Sequence, residues 1–207
     1  MARFTNQAQL RYGNAVTNSN IAVGEILEVL SATKTAVRNT YGQSDTVTYI
    51  VSIVNSGTTP ITGISVTDNL GEYTFGTTTL VPLTYIDGTV KYYVNGVLQP
   101  SAVVTAGPPL VVSGITVPAG GNVTVAYEAA VNEFAPLDTT SVINNTAIVA
   151  GTGITPITAE EEITVESTPV LTITKSVSPV PVTENGTLTY TFLIQNSGNV
   201  AADASTG

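Results

Sequence analysis

From Thr46 to Val54 the chain alternates or runs apolar, and it stops at Asn55-Ser56-Gly57. Side chains that alternate with a period of two stand on opposite faces of an extended strand, so this is a strand followed by a turn. The same signal returns at Ile64–Asp68, Leu80–Ile86, Val90–Val94, Leu110–Ile115, Asn122–Val131, Val142–Ala150 and Ile154–Val165, while no stretch of ten residues keeps a helical period. Asp87-Gly88 and Asn95-Gly96 sit between such runs, where each supplies the positive φ angles of a two-residue hairpin turn. Thr and Val make up roughly 30% of the 207 residues, a composition suited to strands rather than helices. Short strands at this spacing, punctuated by Gly and Pro, predict an all-β fold, an antiparallel immunoglobulin-like β-sandwich.

Composition then removes most chemistry. The chain has no His, no Cys and no Trp. Cysteine and histidine nucleophiles, Ser-His-Asp triads, zinc sites and disulfides are thereby excluded. A net charge of -9 with six basic residues argues against nucleic acid and anionic membranes, which both require Lys/Arg clusters. There is no acidic loop of calcium-binding pattern, and Glu160-Glu161-Glu162 reads as a solvated charge run. The sequence therefore implies no enzyme, no cofactor, no metal and no small-molecule substrate. Tyr85, Tyr92, Tyr93 and Tyr127 leave open a sugar-stacking patch, although alternating Tyr in strands more often packs inward. Met1–Gly13 carries Arg3 and Arg11 without a following apolar stretch, so no secretory signal is read there, and no apolar run is long enough to span a membrane as a helix.

The chain repeats itself. With an ungapped offset of 141, Lys34 falls on Lys175, Thr48-Tyr49 on Thr189-Tyr190, and Asn55-Ser56-Gly57 on Asn196-Ser197-Gly198. With an offset of 139, Asn6-Gln7-Ala8 falls on Asn145-Thr146-Ala147. Residues 1–29 thus read as the last hairpin of a preceding unit, 30–166 as one complete sandwich, and 167–207 as the first strands of a second. The boundary at Ser167-Thr168-Pro169 agrees, because proline interrupts strand pairing.

The succession Leu171-Thr-Ile-Thr-Lys175, Leu188-Thr-Tyr-Thr191 and Asn196-Ser-Gly198, together with Val66-Thr-Asp68 and Asn145-Thr-Ala147, resembles the bacterial surface repeat known as domain of unknown function 11. That resemblance implies tandem β-sandwiches in bacterial stalks, adhesins and spore-surface appendages, hence an extracellular place on a cell or spore. Against the shorter common form of that repeat, Leu80–Pro118 reads as an insertion.

Alternation also assigns faces to polar residues. Lys34 shares a face with Leu30, Ala32 and Ala36; Asp68 with Ile64, Val66 and Leu70; Asn145 with Ile143, Ala147 and Val149. A buried lysine loses several kcal/mol of hydration unless it is paired or consumed by reaction. A lysine, an asparagine and an acid in an apolar interior resemble the self-formed isopeptide bond of pilin and adhesin domains of Gram-positive bacteria. The resemblance gives Lys34 and Asn145 as the joined pair and Asp68 as the acid. Three readings stay open at this point: the crosslink, a noncovalent buried triad, or a bulge that turns Lys34 outward.

The terminal segments extend the idea between molecules. Phe4, Asn6, Ala8, Leu10 and Tyr12 form the inward face of a hairpin whose partner, by the repeat alignment, is a segment like Leu171–Gln195. Supplied by a second copy, that pairing makes a head-to-tail homopolymer in which Asn6 meets Lys175 of its neighbour. The counterpart of Asp68 falls at position 209, outside this sequence. The expectation is a structural subunit of a bacterial surface filament or stalk; the alternative is an adhesin or carbohydrate-binding module.

Overall fold

The computed structural model describes residues 2–26, 29–100 and 102–203. Residues 1, 27, 28, 101 and 204–207 lie outside the described residues. The amino-terminal segment contains β1 (Ala2–Asn6), β2 (Gln9–Tyr12), β3 (Ala15–Asn18) and β4 (Ala22–Ile26). The central part contains β5 (Leu30–Ala36), β6 (Thr40–Tyr41), β7 (Thr46–Asn55), β8 (Ile61–Asp68), β9 (Tyr73–Phe75), β10 (Thr78–Leu80), β11 (Leu83–Tyr85), β12 (Lys91–Val94) and β13 (Val97–Leu98). It continues through β14 (Val103–Ala106), β15 (Leu110–Val117), β16 (Asn122–Val131), β17 (Val142–Ala150) and β18 (Ile157–Val165). Beyond it come β19 (Leu171–Ser178) and β20 (Thr189–Asn196).

The central part is a β-sandwich of two six-stranded sheets. One runs β13-β12-β16-β7-β5, with β11 also paired to β16; the other runs β14-β15-β8-β17-β18-β6. Their inner faces interdigitate. Val47, Tyr49, Val51 and Ile53 of β7 and Val123, Val125, Tyr127 and Ala129 of β16 meet Ile64 and Val66 of β8, Leu110 and Val112 of β15, and Ile143, Ala147 and Val149 of β17. Because β7, β16 and β17 alternate buried and outward residues nearly without interruption, one face of each is fixed to the core and register slips are disfavoured.

Two details differ from the sequence reading. Asp87-Gly88 does not close a hairpin between its flanking strands. β11 and β12 both lie against β16, Tyr85 opposite Ala129 and Lys91 opposite Ala126, so the turn is a loop by which the chain leaves its neighbour and rejoins it. A local turn signal cannot distinguish reversal from detour when one long strand offers room for both. Asn95-Gly96, with φ of 48° and 78°, does close the β12–β13 hairpin. The sandwich is antiparallel except where β6 runs parallel to β18, at Thr40 and Tyr41. The stretch Leu80–Pro118 supplies strands to both sheets: β11, β12 and β13 extend one, and β14 and β15 extend the other.

The flanking segments form two-stranded hairpins, β1 with β4, β2 with β3, and β19 with β20. The registers of β1–β4 and β19–β20 repeat those of the sandwich. Leu171↔Asn196 and Lys175↔Phe192 are Leu30↔Asn55 and Lys34↔Val51 moved by 141 residues. Ala2↔Ile26 and Asn6↔Ala22 sit as Asn145↔Glu161 and its neighbours do after a move of 139. Even the turn chemistry is copied: Asn55 Nδ2 donates to Thr59 O and Gly57 N donates to Asn55 Oδ1, just as Asn196 Nδ2 donates to Val200 O and Gly198 N donates to Asn196 Oδ1.

Candidate functional site

The buried polar and charged residues of the sandwich are Lys34, Asn55, Asp68 and Asn145. Asn55 is spent on its turn, where its side-chain amide donates to the carbonyls of Thr59 and Pro118. The other three come together. Lys34, on the edge strand β5, stands between Ala32 and Ala36 on the inward face and is 4% exposed. Asp68 ends β8 on the facing sheet, and Asn145 lies on β17, the strand next to it. Neither Asp68 nor Asn145 exceeds 1% exposure.

Lys34 Nζ donates to Asp68 Oδ2 at 2.5 Å, and Tyr127 OH donates to the same oxygen at 2.5 Å. Asp68 Oδ1 accepts the Leu70 N–H at 3.0 Å. Asn145 Nδ2 donates to Tyr127 OH at 3.2 Å, and Asn145 Oδ1 accepts the Gly71 N–H at 3.1 Å. The result is a continuous line of polar atoms, amine to carboxylate to phenol to carboxamide, crossing between the sheets. Gly71 has φ of +75°, and a Cβ there would lie 2.6 Å from Ile143 Cγ2, so only glycine can present this N–H to Asn145.

Aromatic rings wall the site. Tyr49 and Tyr127, directly paired across β7 and β16, stack with centroids 5.7 Å apart, and Lys34 Nζ lies 4.9 Å from the Tyr49 ring centre. The Tyr49 hydroxyl is buried and makes no hydrogen bond. Burial raises its pKa, the Asp68 charge adds to the rise, and the nearby Asn145 side chain opposes it. Tyr127 is likewise pushed well above the ordinary phenol value, by burial first and then by Asp68. For Lys34, burial outweighs the attraction of Asp68 and lowers the pKa to about 8. Burial thus brings the uncharged, nucleophilic amine closer to reach than in a free lysine.

Glu161 belongs to the site, and the charge-run reading of it is corrected. It is half-buried on the inward face of β18 with Ala159 and Ile163, opposite Asn145, while Glu160 and Glu162 are exposed. Its Oε1 accepts the Ala36 N–H at 3.1 Å, and its charge favours protonated Lys34. A period of two places Glu161 on the face of Ala159 and Ile163, a signal that the run of three acids obscures. Tyr49 and Tyr127 were likewise legible as inward positions, but nothing in the sequence linked them to Lys34. Tyr85 and Tyr127 are core residues, so the four tyrosines form no common exposed patch.

Lys175 and Asn6 lie on separate exposed hairpins, and no hydrogen bond or ion pair joins them among the described residues. Lys175 nevertheless repeats half of the buried arrangement, its Nζ 4.5 Å from the Tyr190 ring centre as Lys34 stands over Tyr49. Among the described residues no three acidic side chains gather as a metal site, and no helix is long and apolar enough to cross a membrane.

No protein-family model matches the chain, and no curated protein matches it in sequence. Among solved structures it is similar to a single-residue variant of BcpA, the major pilin subunit of Bacillus cereus, with a TM-score of 0.51 and 12% identity over 94% of this chain and 61% of that one. It also matches the full-length major pilin SpaD of Corynebacterium diphtheriae (TM-score 0.49, 16% identity, 72% of this chain and 37% of that one). A third match is the pilus backbone RrgB of Streptococcus pneumoniae (0.46, 14%, 58% and 31%). The chain thus spans less than two thirds of each of these proteins, and the likeness is one of fold, an all-β sandwich of immunoglobulin type.

Proposed function

We propose that the chain is a non-enzymatic structural module of a bacterial surface filament or stalk, built to carry tension through a sandwich whose two sheets are fastened from within. The observation that carries this reading is the Lys34–Asp68–Tyr127–Asn145 line, an expensive set of polar groups placed where apolar packing would serve stability better. Its chemistry suits a self-formed amide. Lys34 Nζ attacks Asn145 Cγ, the new C–N bond forms, the Cγ–Nδ2 bond breaks, and ammonia leaves. Joining positions 34 and 145 closes a loop of about 100 residues, which by analogy with a disulfide removes unfolded-state entropy worth about 4–5 kcal/mol. The sandwich fold shared with the Bacillus cereus major pilin is compatible with a surface filament.

Assembly in this reading is head-to-tail. The amino-terminal hairpin exposes Phe4, Leu10 and Tyr12, and the carboxy-terminal hairpin exposes Leu171, Ile173 and Phe192. β1–β4 and β19–β20 keep the registers of the strands they copy, so together they supply facing halves of a further sandwich, with Asn6 near Lys175 and open to the same reaction. Light scattering and electron microscopy across a concentration series test this: end-to-end oligomers that disappear on Phe192→Asp support it, and a monomer at millimolar concentration contradicts it. The noncovalent reading of the buried cluster is the alternative, favoured by the close Lys34–Asp68 ion pair. The glycan-binding reading finds no support in the tyrosines, two of which are interior.

A further inference from the structure

The carboxylate and the carboxamide are separated by a phenol: Tyr127 OH donates to Asp68 Oδ2 at 2.5 Å and accepts from Asn145 Nδ2 at 3.2 Å. We infer that Tyr127 is a catalytic residue of amide formation, carrying to the departing nitrogen of Asn145 a proton that Asp68 takes from Lys34, while the Gly71 N–H stabilises the oxygen. This rests on the crosslinking reading proposed above and adds to it the route of the protons.

The route follows from which atoms are already bonded. Lys34 begins as an ammonium paired with a carboxylate, and a proton passes from Nζ to Asp68 Oδ2. The neutral amine attacks Asn145 Cγ, and the carbonyl electrons move onto Oδ1, which the Gly71 N–H already holds at 3.1 Å. Once Oδ2 carries a proton it can no longer accept from Tyr127; it donates to the phenol oxygen instead, and the phenol turns its own proton toward Nδ2. The Cγ–Nδ2 bond breaks with its electron pair on nitrogen, which takes that proton and leaves as ammonia. The second Nζ proton then returns to Asp68, so the products are one secondary amide, one ammonia and a protonated Asp68. Charge and protons balance without any other reactant.

Glu161 does not fill this role. Its Oε1 is engaged by the Ala36 N–H, which makes it a positioning group for β5. Tyr49 has a buried hydroxyl but no bond to Asp68 or to Asn145. Tyr127, kept protonated by burial, is the hydroxyl bonded on both sides.

The test uses the full chain, synthesised cell-free into denaturant and diluted to start folding, with intact mass followed over time and folding followed by circular dichroism. Tyr127→Phe keeps the ring stack and deletes only the hydroxyl. The expected result is a folded variant that loses ammonia at least ~100-fold more slowly than the wild-type chain, the scale of a general acid–base contribution. Loss of ammonia at the wild-type rate overturns the role of Tyr127 while leaving the crosslink intact. A wild-type chain that never loses ammonia overturns the crosslink itself. Should Tyr127→Phe not fold, 3-fluorotyrosine in place of all nine tyrosines retains the hydroxyl and makes it a stronger acid. A proton carrier then changes the rate several-fold, and a merely structural hydroxyl leaves it unchanged.

Discussion

Lys34 and Tyr127 converge on one oxygen of Asp68, each at 2.5 Å, although they reach it from different strands of the opposite sheet. That shared acceptor couples β5, β16 and β8 through a single atom. It also means that removing any one member leaves a buried charge or polar group without its partner.

In an Asn145→Ala background, where no amide can form, replacing Lys34 with Met keeps the side-chain volume but leaves the Asp68 carboxylate without its cation in an apolar interior. The expected loss is about 3–5 kcal/mol in equilibrium unfolding, the usual cost of breaking a buried pair from one side. Changing both residues, Lys34→Met with Asp68→Asn, removes the stranded charge, keeps an Oδ1 acceptor for the Leu70 N–H and places an Nδ2 donor against the Tyr127 oxygen. This double variant is expected to recover more than half of the loss, measured by denaturant midpoints at constant slope.

A free Lys34 amine has a characteristic pH signature. Its pKa is about 8 in the folded chain and 10.5 unfolded, so between those values the unfolded chain holds a proton that the folded one has released. Stability therefore rises with pH from about 8 toward 10. Above 10.0 the raised phenols of Tyr49 and Tyr127 act in the opposite direction, because they ionise only on unfolding. Asn145→Ala, which has no acyl partner for Lys34, is expected to show the rise; a chain in which Lys34 is already an amide is expected to lack it. Denaturant midpoints from pH 7 to 11 distinguish the two.

The Tyr49 hydroxyl is buried without a hydrogen bond, whereas its ring stacks on Tyr127 and lies beside the lysine. Tyr49→Phe removes the orphan group and keeps the ring. An increase of roughly 1 kcal/mol in stability is expected, read from thermal and denaturant unfolding, and a decrease would show that the hydroxyl has a partner in solution.

Much of this architecture can be read from alternation alone. β16 and β17 have the bounds that the period of two assigns to them, because both are buried on one face over their whole length. The inward face of Lys34 is legible for the same reason, with alanines on either side of it in a strand whose other face is Ser and Thr. What escaped were features set by partners distant in sequence. β14 and the two-residue β6 and β13 are too short to show a period, and the detour at Asp87-Gly88 depends on the length of β16. Tyr127 looks in sequence like any core aromatic, and only its place between Asp68 and Asn145 gives its hydroxyl a chemical role.

Intact-mass spectrometry of the purified, folded chain tests the central claim most directly. The account predicts a mass about 17 Da below that of the 21.3 kDa sequence for each bond formed, with the ammonia-free linkage located in a peptide joining Lys34 to Asn145 and the full mass restored by Lys34→Ala. A folded wild-type chain at its full sequence mass would contradict the crosslink and leave a buried ion pair in its place.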